Sequence, residues 1–206
     1  MEAHEIAERI HEDAEPEAHH SRRPEAFRRV AAIYVGVVAM LLAIASLGGS
    51  ETSKEMLNAN IHASDTYAFY QAKNIRQTLY QIAASETELL AAGGSAVSPG
   101  DSGKAAELVK RYRDTVARYE SEPATGEGKK ELMAKAKQWE ERRDHAAAQI
   151  PNFEYGEALF QIAIVLGSVA IVAASPALVA VSGVLAIGGI LLTLNGFLLL
   201  VPLAAH

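Results

Sequence analysis

Two Glu-x-x-His pairs lie near the N-terminus of this 206-residue chain, Glu8 with His11 and Glu17 with His20. A carboxylate and an imidazole three residues apart on one helix can bind the same metal ion, as in carboxylate-bridged di-metal bundles. Such a centre needs two further glutamates from other helices inside a packed core, and Pro16 separates the two pairs. We therefore predict a solvated amphipathic helix here, with a metal or pH sensor as the weaker alternative.

No other pattern in the sequence predicts catalysis. The chain has no cysteine, which excludes disulfides, thiolate metal sites and thiol nucleophiles. It contains no GxSxG, HExxH, P-loop or GxGxxG motif. Its net charge is −6 without a dense basic patch, which argues against binding to nucleic acid. We expect a non-enzymatic protein with no catalytic, cofactor-binding or metal-binding residues and no cofactor.

Three apolar segments determine how the polar parts of the chain are positioned. Residues 30–47, 158–175 and 177–203 contain no Asp, Glu, Lys, Arg or His, so the other stretches carry every acid and base. A helix of 18 residues is about 27 Å long, close to the thickness of a bilayer core. The pattern predicts an all-α integral membrane protein with three transmembrane helices. The short Ser-Pro-Ala link at 175–177 predicts that the last two form an antiparallel hairpin.

The charges beside the first span predict its orientation. Four arginines lie between residues 22 and 29, and only Lys54 follows within ten residues, which places the N-terminus in the cytoplasm. A cleaved signal peptide is the alternative, since Ala43-Ile44-Ala45 fits a cleavage site, but the long polar leader favours an uncleaved anchor. The predicted segments are a cytoplasmic amphipathic segment (1–29), a transmembrane helix (30–47), a periplasmic helical hairpin (48–157), a second transmembrane helix (158–175) and a third with a short C-terminus (176–206).

Small residues recur three or four positions apart in every span, which predicts close helix–helix packing. The predicted packing positions are Ala32, Gly36, Ala39, Ala43 and Ser46 in the first span; Ala163, Gly167, Ala170 and Ala174 in the second; and Ser182, Ala186, Gly189, Thr193 and Gly196 in the third. Asn195 is the most polar group in a span. It could line a pore or ligand site, or donate a hydrogen bond to a neighbouring helix or subunit. No span has an ionisable residue, which argues against a proton relay or an ion-coupled transporter.

The middle segment has helical periodicity with a single Gly/Ser-rich interruption. Thr52-Ser53-Lys54-Glu55 is a capping box, which predicts a helix start. The stretch at 93–103 predicts a turn, and helices should resume near Lys104 and near Lys129, after Pro123. The predicted outgoing helix is about as long as the two returning helices together. This predicts a long, coiled-coil-like antiparallel hairpin, with a compact three-helix bundle folding at Pro123 as the alternative.

Apolar positions of the outgoing helix form a narrow stripe, which we expect subunits to share as coiled-coil helices do. They are Leu57, Ile61, Ala68, Ala72, Ile75, Leu79, Ile82 and Leu89. Aromatic side chains are expected to make contacts within the hairpin rather than to bind a ligand. Those on the outgoing helix are Tyr67, Phe69, Tyr70 and Tyr80, and their expected partners are Tyr112, Tyr119 and Trp139.

One block carries a family resemblance. The run from Ala63 to Lys73 (ASDTYAFYQAK), followed by Ile75-Arg76-Gln77 and preceded by a span ending in AIASLGG, resembles an uncharacterised family of bacterial three-span membrane proteins, a domain of unknown function. The resemblance covers nearly the whole chain. It implies a bacterial inner-membrane location and supplies no catalytic residues.

These observations predict a structural or interaction protein of the inner membrane. We expect a homo-oligomer in contact with membrane lipid that displays helical stalks in the periplasm, where another membrane or periplasmic protein is a possible partner. The alternative is an oligomeric channel lined by Ser168, Ser182, Thr193 or Asn195.

Overall fold

The computed structural model describes residues 3–93 and 99–203, with side chains for 25–93 and 103–203. Its elements are four α-helices: α1 (Ala3–Ala92), α2 (Pro99–Glu120), α3 (Lys129–Ala173) and α4 (Pro176–Leu198). The predicted all-α class is confirmed for the described residues. Helices α1, α3 and α4 are each long and apolar enough to cross a membrane, as the three apolar segments predict.

Helix α1 runs unbroken through the point where a new helix was expected. Gly48, Gly49 and Thr52 all lie inside it, so the predicted capping box at Thr52 is wrong. Each glycine inside a helix costs about 1 kcal/mol relative to alanine. The cost is offset by packing, because a Cβ at Gly48 would lie 2.6 Å from Cε1 of Phe153. These glycines allow α3 to approach closely and do not end the helix.

Helix α3 is also continuous, from the middle segment into the second apolar segment. Pro151 lies inside it, although proline removes one backbone donor and usually bends a helix. The next residue, Asn152, donates its side-chain amide to the carbonyl of Ala148 (3.2 Å). A side-chain hydrogen bond therefore supplements the backbone ladder beside the proline.

The link between α3 and α4 is as short as the sequence predicts. Ala174 adopts a left-handed conformation (φ 47°), and the backbone N–H of Ser175 donates to the carbonyl of Ala170 (3.1 Å). Pro176 then opens α4, a position where its missing N–H has no intrahelical partner to lose. The reversal requires α3 and α4 to run antiparallel.

The chain divides into two compact units. The span unit comprises the residues up to Ser53 and those from Ala146 onward, and its core packs Val38 and Ala45 of α1 against Phe160 and Ala163 of α3 and Ala186 of α4. The hairpin unit comprises Lys54–His145.

In the hairpin unit, the returning helices lie antiparallel to α1. Glu88 pairs with Arg113 of α2, Tyr80 contacts Tyr112 and Tyr119, and His62 stacks on Trp139 of α3. The residue number of the partner rises as the residue number on α1 falls. Helix α2 therefore packs along one part of α1, and α3 packs along the part nearer the N-terminus of α1. This is the arrangement of a long hairpin and not that of a bundle folded at Pro123.

Candidate interaction surfaces

The small residues of the second and third spans, apart from Ala174, are buried against other helices of the span unit. Ser182, Ala186, Gly189, Thr193 and Gly196 are the buried residues of α4. Ala163, Gly167 and Ala170 of α3 are also buried, whereas Ala174 is exposed. A Cβ at Gly189 would lie 2.8 Å from Cε1 of Phe160, so this glycine is needed for the close approach. These two sets are used within the chain.

The small residues of the first span are placed differently. Ala32, Gly36, Ala39, Ala43 and Ser46, which we name the small face, are exposed in the single chain. The buried face of this segment carries Ala31, Val38 and Ala45 instead. A Cβ at Gly36 would meet no atom within 4 Å. The small face therefore remains available to a partner outside the chain.

A hydrogen-bond chain joins all three spans. Ser182 of α4 donates its hydroxyl to the carbonyl of Ala163 on α3 (2.6 Å). The hydroxyl of Tyr34 on α1 lies 2.8 Å from the same Ser182 oxygen. Because a serine hydroxyl has one proton, Tyr34 must be the donor in that second bond. The arrangement fixes the register of three helices at one level.

Asn195 bonds to a neighbouring helix of its own chain. Its amide donates to Oδ1 of Asn152 (2.6 Å), which is fully buried, and to the carbonyl of Val201 (2.6 Å). The backbone N–H of Val201 donates back to Oδ1 of Asn195 (2.9 Å), beyond the left-handed residue Leu199 that ends α4. Asn195 thus closes the end of α4 and ties it to α3. Sequence reasoning missed Asn152, although its position beside Pro151 is a signal for a side-chain bond to the backbone.

A second close crossing of α3 and α4 lies nearby. A Cβ at Gly156 would lie 2.8 Å from Oγ1 of Thr193 and 3.2 Å from the carbonyl of Gly189. Oγ1 of Thr193 is buried with no hydrogen-bond partner among the described residues. Since Gly156 itself is buried in this crossing, the position serves helix packing.

In the hairpin unit, α1 packs through a seam that differs from its most apolar stripe. The buried residues of this inner seam are Ala59, Ala63, Thr66, Lys73, Gln77 and Ala84. They recur at steps of three, four or seven residues, the spacing of a coiled-coil seam. Alanines let the arms approach closely, while the buried lysine and glutamine supply directional contacts.

Those two polar residues hold the turn between α2 and α3. Gln77 donates to the carbonyl of Val116 (3.1 Å) and to Glu120 (3.2 Å), and it accepts from the ammonium of Lys129 (2.7 Å). Lys73 is 5% exposed and lies 3.4 Å from the carboxylate of Glu127. A buried lysine requires such a partner. Lys73 and Gln77 belong to the block that carries the resemblance, and sequence reasoning assigned them no role.

Hydrogen bonds at this turn lower the pKa values of two carboxyl groups. The amide of Gln77 and the ammonium of Lys129 lower the pKa of Glu120 below its ordinary value. The hydroxyl of Ser121, 2.6 Å away, and backbone N–H groups lower the pKa of Glu131. Both groups are therefore held in the charged form that the turn binds.

The predicted aromatic contacts lie along the hairpin. Tyr80 is 5.6 Å from Tyr112 and 5.9 Å from Tyr119 between ring centres. Tyr70 lies under the ammonium of Lys129, 5.7 Å from it.

The remaining three have other neighbours. Phe69 is exposed beneath Lys73, and Trp139 stacks on His62 at 4.5 Å rather than on one of the predicted aromatics. Partial burial and the hydrogen-bonded carboxylate of Glu140 raise the pKa of Tyr67.

The most apolar stripe of α1 in the hairpin unit faces outward. This outer stripe comprises Leu57, Ile61, Ala68, Ala72, Ile75, Leu79, Ile82 and Leu89. Its large side chains are between 49% and 73% exposed, and Ala72 alone is half-buried. The stripe is therefore left uncovered by the chain's own packing.

The two Glu-x-x-His pairs fall in the first turns of α1, but the side chains of Glu8, His11, Glu17 and His20 lie outside the described residues. Among the described side chains, no group of three or more His, Asp or Glu could hold a metal ion.

Comparison with curated proteins and with solved structures finds no significant match. The family model described as a domain of unknown function, DUF4337, matches residues 27–199. The match covers the first two apolar segments, the third up to residue 199, the inner seam and the outer stripe. The chain therefore belongs to the DUF4337 family, a domain of unknown function.

Proposed function

We propose that this protein is a non-enzymatic structural or interaction protein of the bacterial inner membrane. It assembles as a homo-oligomer through its first span and displays its helical hairpins in the periplasm, with the N-terminus in the cytoplasm. The single observation that carries the proposal is the exposed small face of α1.

A comparison with the other two spans explains why this exposed face supports assembly. In α3 and α4, small residues at the same spacing are consumed by helix packing within the chain. Lipid chains are as apolar as leucine, so a helix gains nothing from turning a small, poorly contacting face towards them. A second α1 helix can approach closely at Gly36, where the surrounding space is open.

The first span has a separate lipid-facing side, which strengthens this assignment. Val30, Ile33, Val37, Met40 and Ile44 are between 50% and 70% exposed on a face distinct from the small one. Such large side chains suit contact with lipid. The small face is then left for a protein neighbour.

The channel alternative gains no support from the described contacts. Ser182 and Asn195 bond within the chain, and Thr193 is buried in the crossing of α3 and α4. Ser168 is exposed but donates to the carbonyl of Ile164 four residues earlier. Ser182, Thr193 and Asn195 are therefore used within the chain, and Ser168 is the one member of this set that is exposed.

Cysteine cross-linking tests the proposal on a background without native cysteines. Ala39→Cys lies on the small face and Val37→Cys on the lipid-facing side, only two residues away. In membranes treated with a mild oxidant, we expect Ala39→Cys to form a covalent dimer and Val37→Cys to remain monomeric. Equal cross-linking of both variants, or of neither, would contradict an interface on the small face.

A further inference from the structure

The residue order of the outer stripe of α1 distinguishes an antiparallel helix partner from a parallel one. Six of its eight residues are arranged almost symmetrically about residue 70: Ala68 mirrors Ala72, Ile61 mirrors Leu79, and Leu57 mirrors Ile82. Ile75 and Leu89 have no apolar counterpart on the stripe. Two copies laid antiparallel therefore place large residues against large ones at both ends. The two alanines meet in the middle, where the helices can approach most closely.

The charges beside the stripe follow the same symmetry. Asp65 and Arg76 are exposed on the same flank of the stripe, eleven residues apart, and their midpoint also falls near residue 70. In an antiparallel helix pair, equivalent flanks face each other. Asp65 of each copy is then opposite Arg76 of the other, which gives two complementary ion pairs.

A parallel, in-register pair would meet a different set of contacts. Each position on the stripe would face its own copy, so Glu86, which lies on the stripe and is exposed, would meet the same carboxylate. Asp65 and Arg76 would face the opposite flank, where Asn60, Gln71 and Thr78 are uncharged. Like charges in a helix interface are destabilising. Charge complementarity therefore favours the antiparallel direction.

We infer that the outer stripe is a self-recognition surface that binds a second copy of this chain in antiparallel orientation. The ends of the two α1 segments that lead back to the first span then lie at opposite ends of the contact. The surface is separate from the small face. Chains with the orientation proposed above present the continuous helix α1 in parallel within one membrane, so the antiparallel contact links chains that project from two facing membranes. It does not depend on the assembly proposed above.

Mixed cysteine variants test the direction. Full-length Ile61→Cys and Leu79→Cys chains, carrying different tags, are oxidised separately and together in detergent, where chains can meet in either direction. We expect the mixture to give a disulfide between the two variants, and each variant alone to give little. Self-cross-linking of Ile61→Cys as strong as that of the mixture indicates a parallel pair and overturns the inference.

Charge reversal tests the predicted ion pairs. Asp65→Arg alone and Arg76→Asp alone each place like charges opposite each other, and we expect the mixed disulfide to fall by about twofold to thirtyfold for two exposed pairs. The double variant should restore it, whereas Lys135→Glu, an exposed change on α3, should have no effect. Failure of the double variant to restore the disulfide contradicts the pairing.

The two proposals fail independently. If the Ala39→Cys dimer forms and the mixed Ile61–Leu79 disulfide does not, the outer stripe is not a self-recognition surface while the assembly through the small face stands. If the mixed disulfide forms and the Ala39→Cys dimer does not, the antiparallel contact stands and assembly through the small face is contradicted.

Discussion

At the scale of single residues, the span unit depends on a few polar groups that bond to each other. Asn195 donates to the fully buried Asn152 and also closes the end of α4. A buried polar atom left without its partner costs about 1–3 kcal/mol. These bonds therefore contribute to stability, and their loss should be measurable.

We expect Asn195→Leu to lower the free energy of unfolding by about 1–3 kcal/mol, because it leaves Oδ1 of Asn152 without its donor. The double variant Asn152→Leu/Asn195→Leu should cost less than the sum of the two single changes, since neither polar group remains. Thermal unfolding in detergent measures both, with the exposed Ser168→Ala as the control. Additive effects would contradict a direct bond.

Gly48 and Gly36 of α1 should respond differently to substitution by alanine. A Cβ at Gly48 would lie 2.6 Å from Phe153, so Gly48→Ala should destabilise the span unit by about 1–3 kcal/mol through overpacking. Gly36→Ala meets no atom of its own chain and should leave the stability of the monomer unchanged or slightly higher. Unfolding midpoints of detergent-isolated monomers provide the comparison, and equal effects would contradict the assigned packing.

At the scale of elements, the turn between α2 and α3 should weaken in acid. Glu120 and Glu131 both have a pKa below the ordinary value of 4.5, so they bind protons more readily in the unfolded chain. Their stabilising contribution is present above that value and is lost as the pH falls through the folded-state pKa values.

Trp139, the single tryptophan, lies on α3 beyond this turn and reports on the contact with α1. We expect its emission to shift to longer wavelength below pH 4.5. Glu131→Gln, which resembles the protonated carboxyl, should show a smaller acid shift, whereas the exposed Glu141→Gln should behave like the wild type. An unchanged shift in Glu131→Gln would contradict a role for this carboxylate.

Much of the element plan could be predicted from the sequence because membrane helices separate charge so sharply. The five small residues proposed for the third span are the five that α4 buries. The break at Thr52 was wrong because a local capping signal says nothing about Phe153, which packs on the neighbouring glycines. The inner seam could not be predicted from hydrophobicity, since Lys73 and Gln77 are buried there while Ile75 and Leu79 are exposed.

At the scale of the whole molecule, the chain keeps two α1 surfaces that its own folding leaves uncovered. The small face lies in the span unit and the outer stripe in the hairpin unit. The first is small and suited to close helix contact in lipid, and the second is apolar with flanking charges. Both surfaces are of kinds through which helices associate.

The mass of the particle in lipid nanodiscs tests the central claim most directly. The wild-type protein should give a discrete multiple of 22.0 kDa after subtraction of the nanodisc mass. Gly36→Leu, which fills the small face, should shift the population to the monomer, while Val37→Leu on the lipid-facing side should not. A wild-type monomer, or an oligomer unchanged by Gly36→Leu, would contradict assembly through the first span.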